Sequence, residues 1–104
     1  MSENKSGSVG EIQWSEGGMA DGCEIAWTVT RFRSAWQAVL EQQSCDWHHG
    51  ATYADVSARG SHPDDAIAKL ERRAAAAGLD AGLVAQAISE IEAAAYGLID
   101  EVLS

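Results

Sequence analysis

The sequence predicts an α+β domain, with an antiparallel sheet of three to four short strands covered on one face by two C-terminal helices. Three observations predict it. Apolar and polar residues alternate at Cys23, Ile25, Trp27 and Val29, and again at Thr52, Ala54 and Val56, which is the period of a half-buried strand. A proline-led helix start follows at Gly60–Asp65. The C-terminal stretch carries apolar residues at spacings of three and four, the period of a helix with one buried face.

Residues 1–10 are polar and small, with no apolar core of a leader segment, and are expected to be a flexible arm. That arm leaves 11–104 as a single domain, and the lack of a leader points to a cytoplasmic location. Glu11–Trp14 alternates and stops at Ser15-Glu-Gly-Gly18, as an edge strand followed by a turn does. Cys23–Arg33 is rich in β-formers, and a strand is the preferred reading. A helix remains open there, because Ile25, Val29, Phe32, Trp36 and Val39 also fit a 3.6 period, with Asp21-x-x-Glu24 as a start. Ser34–Gln43 fits either a strand or a helix. As a strand it would pair with 51–58 through the connection 44–50.

Proline at the first helical position is tolerated, and Asp64 and Asp65 suit the positive end of a helix dipole. His62 precedes proline, resists the α region and is expected as N-cap, with a Ser61/Asp64 capping box as the other option. Gly78 is placed to end the helix in a left-handed conformation, and Asp80 to cap a second helix reaching about Leu103. On that helix Val84, Ile88, Ile91, Ala95, Leu98 and Val102 form a heptad stripe, widened by Leu83, Ala87, Ile99 and Leu103. Packing on its own sheet is the expected use of the stripe, and a homodimer seam is the other.

Sixteen acids against seven Lys and Arg give a net charge of -9. The acids gather at the two ends, and no basic residue follows Arg73. Such a balance argues against binding nucleic acid directly, and no apolar run is long enough for a membrane span. No phosphate-loop, dinucleotide, nucleophile-elbow or zinc-protease motif is present. Ala74-x3-Gly78-x5-Val84 has helix-turn-helix spacing, but its second helix offers Gln86 and no Arg, Lys or Asn, so DNA reading is rejected.

Cys45-Asp46-Trp47-His48-His49 is the most metal-like stretch, and Cys23 or His62 would have to complete a site. With one ligand pair in place of two, neither metal nor cofactor is expected, and the two cysteines are expected as free thiols. Trp27 and Trp36 sit in apolar patterns and are expected in the core. Trp47 lies in a polar connection and is expected to face a partner. The arginines and lysines at 31, 33, 59, 69, 72 and 73 lie among acids and are expected to form a solvated, ion-paired face.

The order from Trp36 to Leu70 is strand, polar turn, strand, then Gly60-Ser61-x-Pro63-Asp64-Asp65-Ala66-x3-Leu70. It resembles the strand–strand–helix unit of HicB-type antitoxins and of short phage-encoded proteins, which implies an antiparallel sheet with helices on one face. In size and charge the chain is also similar to phage inhibitors of host defence, anti-CRISPR proteins among them. The expected function is a non-enzymatic, acidic interaction module. It would bind a basic, nucleic-acid-handling protein through Trp47, Glu90, Glu92, Asp100 and Glu101. The alternatives are a small metal-binding protein or enzyme using Cys45, His48 and His49, and a structural homodimer.

Overall fold

The computed structural model describes residues 3–15, 17, 20–46 and 50–103, with side chains as far as residue 100. Four strands come first: β1 (Glu3–Trp14), β2 (Ala20–Arg31), β3 (Trp36–Asp46) and β4 (Gly50–Gly60). Two helices follow, α1 (Pro63–Ala77) and α2 (Ala81–Leu103). The sheet is an antiparallel meander in the order β1-β2-β3-β4. Both helices pack on one of its faces, α1 over β4 and β3, α2 over β2 and β1. The expected α+β architecture is the one observed.

Two expectations are corrected. The strands are not short, since each runs 11 or 12 residues against a usual five or six. Residues 3–10 are not a loose arm but the first part of β1, paired from Glu3↔Arg31 to Gly10↔Glu24. The segment is apolar only at Val9, which hid its strand character. Its pairing rests on small size at one place. A Cβ on Gly7 would lie 2.7 Å from the Trp27 indole, so glycine lets that large ring lie across β1. Gly10 has φ +80, which glycine adopts without the steric cost of a side chain.

The strand reading of 23–43 holds over the helical one. Ile25, Trp27 and Val29 are buried at a period of two, and Trp36, Ala38 and Leu40 continue that face on β3. Trp27 stands opposite Leu40, and Leu40 opposite Val56. These pairs make the sheet half of the core. The helix half comes from Ile67, Leu70 and Ala74 on α1, Leu79 in the connection, and Ala87, Ile88, Ile91, Ala95 and Leu98 on α2. Alanines at 38, 58, 66, 74, 87 and 95 are almost fully covered, which lets backbone approach backbone across the two layers.

The helix ends follow their residues. His62 is the N-cap of α1 in an extended conformation, with Pro63 first in the helix and no side-chain capping bond. Gly78 closes α1 at φ 77, its N–H turned back to the helix carbonyls, and Leu79 N–H donates to Ala74 O. Asp80 caps α2, its Oδ1 accepting from Leu83 N–H at 2.9 Å. The Asp80 N–H in turn donates to Gln42 Oε1 at 2.8 Å, tying the helix connection to β3.

Candidate protein-binding surface

The apolar stripe of α2 faces inward. Ile91 and Ala95 are 0% exposed, Leu98 2% and Ile88 6%, so the described part of the stripe is spent on this chain's own core. Those residues are covered by the sheet and α1, which is the expected packing of the stripe on its own sheet. The side chain of Val102 lies outside the described residues.

What α2 turns outward is neutral in its first turns and carries Glu90, Glu92 and Asp100 further along. Glu92, Tyr96 and Asp100 recur every four residues and form one stripe on the helix surface. Tyr96 is 48% exposed, and its hydroxyl donates to Asp64 Oδ1 at 2.8 Å, joining the stripe to the first turn of α1. The hydrogen bond to Asp64 raises the Tyr96 phenol above its ordinary pKa. The charge of the same carboxylate adds to the effect, followed by desolvation and the charge of Glu92. Asp64, Glu92, Tyr96 and Asp100 therefore form one continuous anionic patch across both helices.

The expected site residues separate in this geometry. Glu92 and Asp100 belong to the patch. Glu90 does not act with them, because its Oε1 accepts from the Trp27 indole N–H at 3.1 Å and holds that ring over Gly7. Trp47 lies outside the described residues, and so does the side chain of Glu101. His48 and His49 are likewise outside them. Of their proposed partners, Cys23 and Cys45 lie on opposite faces of the sheet. Cys23 accepts from Ser44 on the helix side, while Cys45 sits beside Gln43, which also donates to Tyr53 on the open side. His62 follows the end of β4 that pairs with Trp36, about 30 Å along the strands from Cys45. Neither Cys23 nor His62 is thus placed to complete a site with Cys45. Among the described residues no group of three or more His, Cys, Asp or Glu is arranged to hold a metal ion.

Lys5 reaches α2 beside Gly97, and most of the other basic residues are used elsewhere. Lys69 Nζ donates to Arg59 O at 3.1 Å, and Arg73 donates to Ser57 O at 2.5 Å. Both acceptors are carbonyls of β4, an edge strand. Lys69 also meets Asp65 at 3.2 Å, Arg31 meets Glu3 at 4.0 Å, and Arg59 lies 5.0 Å from the centre of the Phe32 ring. The expected ion-paired face is present in part, but its main contacts go to backbone. Among the described residues no cation pairs with Glu92 or Asp100.

The open face of the sheet holds a second acidic region that sequence reasoning missed. A shallow depression of about 320 Å³ is lined by Glu24, Glu41, Gln43, Tyr53 and Asp55. Glu41 stands directly opposite Asp55 across β3 and β4, a like-charge arrangement that costs stability. The alternation of Tyr53, Asp55 and Ser57 was visible in the sequence. The register that sets Asp55 against Glu41 was not.

No family model, curated protein or solved structure matches the chain. The described surface offers Glu92 and Asp100 without a paired cation on a two-layer frame, with Tyr96 exposed among the acids of the helix face and Tyr53 among those of the open face.

Proposed function

We propose that this chain is a non-enzymatic interaction module that docks its acidic helix face on a basic, nucleic-acid-handling protein, as a phage-type inhibitor of host defence would. The observation that carries this reading is the charge layout of α2. The helix has no acidic residue in its first turn, no basic residue in its last, and Asp100 and Glu101 near its C-terminus. Asp80 at the N-cap suits the helix dipole, but the C-terminal end is the reverse of what the dipole favours, since carboxylates there face the negative pole. The C-terminal arrangement costs stability, and among the described residues no cation forms an ion pair with Glu92 or Asp100. A basic partner would supply the missing counter-charge, and the long-range field of a -9 protein would speed the encounter.

Capture of binding proteins from a host lysate tests the proposal when wild type is run beside the double variant Glu92→Lys/Asp100→Lys. The expected outcome is retention of basic nucleic-acid-binding proteins by wild type at low salt. That retention falls steeply as the screening length drops from about 10 Å at 0.1 M to about 3 Å at 1 M, and the double variant abolishes it. Asp100→Lys should at the same time stabilise the isolated chain by roughly 0.3–1 kcal/mol at low salt, through the dipole. Capture indifferent both to salt and to the double substitution would overturn the proposal.

A further inference from the structure

The end of the molecule where β2 turns into β3 has the opposite character to the acidic patch. The loop Phe32–Ala35 is closed by Phe32 N–H donating to Ala35 O at 2.8 Å. Beside it opens a cleft of about 510 Å³. Arg31, Arg33, Ser34, Ser61 and His62 line its polar side, and Trp36, Pro63 and Ile99 supply an apolar wall. In a chain with seven Lys and Arg and a charge of -9, two arginines on one cleft are a local reversal of sign. Arg59 adds a third positive charge next to it, stacked over Phe32 at 5.0 Å.

These donors are available. Arg33 and His62 make no side-chain hydrogen bond or ion pair among the described residues. Arg31 touches Glu3 only at 4.0 Å, with both side chains partly in solvent. The acids that follow His62 have partners of their own, Asp64 the Tyr96 hydroxyl and Asp65 the Lys69 ammonium.

We propose that this cleft binds a phosphate monoester attached to a flat or apolar group, with Arg31 and Arg33 on the phosphate oxygens and the ligand's body against Trp36, Pro63 and Ile99. Guanidinium forks match a phosphate bidentately, and hydroxyls and a histidine complete the donor set. The cleft exceeds what a lone ion needs, and its mixed lining suits a ligand with one charged and one apolar end. A free mononucleotide and the 5′-phosphate end of a nucleic-acid strand present the same chemistry. The site borders the acidic patch, since Pro63 and Ile99 precede Asp64 and Asp100 in the chain, but its donors are separate residues from those of the patch.

Backbone amide NMR of the purified chain, titrated with adenosine 5′-monophosphate, inorganic phosphate and adenosine, tests it. Saturable shifts confined to residues 31–36 and 61–64 are expected with the nucleotide, weaker ones with inorganic phosphate, and none with adenosine. Arg33→Ala, at an exposed loop tip, should weaken nucleotide binding about tenfold or more while leaving the rest of the spectrum in place. A short oligonucleotide with a 5′-phosphate, run against the same strand with a 5′-hydroxyl, distinguishes the sources. Binding of the phosphorylated strand alone extends the site to nucleic-acid ends, and binding of neither limits it to free nucleotides. Absence of saturable shifts, shifts unchanged by Arg33→Ala, or equal binding of both strands overturns the proposal.

Discussion

Tyr96 shows how a single side chain reports on the acidic patch. Its hydroxyl bonds to Asp64 and lies in the field of Glu92, and both contacts favour the protonated phenol. The folded-state pKa is raised, so the folded chain holds this proton where the unfolded chain has begun to lose it. The contribution to stability is therefore fully present below the ordinary tyrosine range, and is lost as pH rises through the folded value. Denaturant titrations at a series of alkaline pH values should show stability falling with pH. Tyr96→Phe should flatten that slope, because phenylalanine keeps the ring and has no proton to lose. An unchanged slope in the variant would place the alkaline loss elsewhere. Gly7 and Glu90 make a related point. One is small and the other ionic, yet both serve Trp27, the first by leaving room for its ring and the second by accepting its N–H.

At the scale of elements, β4 is an edge strand, and such edges invite pairing with other chains. Lys69 and Arg73, one helical turn apart on α1, donate to the outward carbonyls of Arg59 and Ser57. The helix thus occupies the half of the edge nearest its own start. Replacing both by alanine should leave the fold in place and raise self-association, measured by light scattering at increasing concentration and by growth of a cross-strand signal in infrared spectra. Unchanged monodispersity would show that these contacts do not guard the edge. The sequence placed these residues correctly on a charged helix face, but it pointed to ion pairs. It was silent about carbonyls 10 and 16 positions back in the chain.

For the whole molecule, the 15.1 Å radius of gyration exceeds the roughly 13 Å of a compact domain of about 100 residues, and the long axis of 50 Å is nearly twice the next, 27 Å. The long strands set that shape, and the two helices span most of one face. Because α2 supplies much of the helix side of the core, Ile91→Glu should unfold the chain, placing a charge where exposure is 0%. Circular dichroism and size-exclusion chromatography check this together. A folded monomer in place of a folded dimer would instead support the homodimer seam.

The sequence alone determined the elements whose period is strong and whose ends are marked. α1 lies between His62 and Gly78, α2 begins behind Asp80, and the strands at 23–31 and 51–58 carry the alternation of a half-buried sheet. These are local preferences, fixed by backbone sterics and by one apolar face. It also placed Glu92 and Asp100 on the outer side of α2, because a residue outside the apolar stripe of a packed helix must face water. Only the tertiary structure decided the rest. Residues 3–10 became a strand because β2 offered an unpaired edge and Gly7 left room for Trp27, neither of which is a property of the segment itself. The role of Glu90, the pairing of Glu41 with Asp55, and the cleft between 31–36 and 61–63 depend on register and on contacts distant in sequence. Such contacts are set by the summed packing of both layers, and no short stretch of residues encodes them.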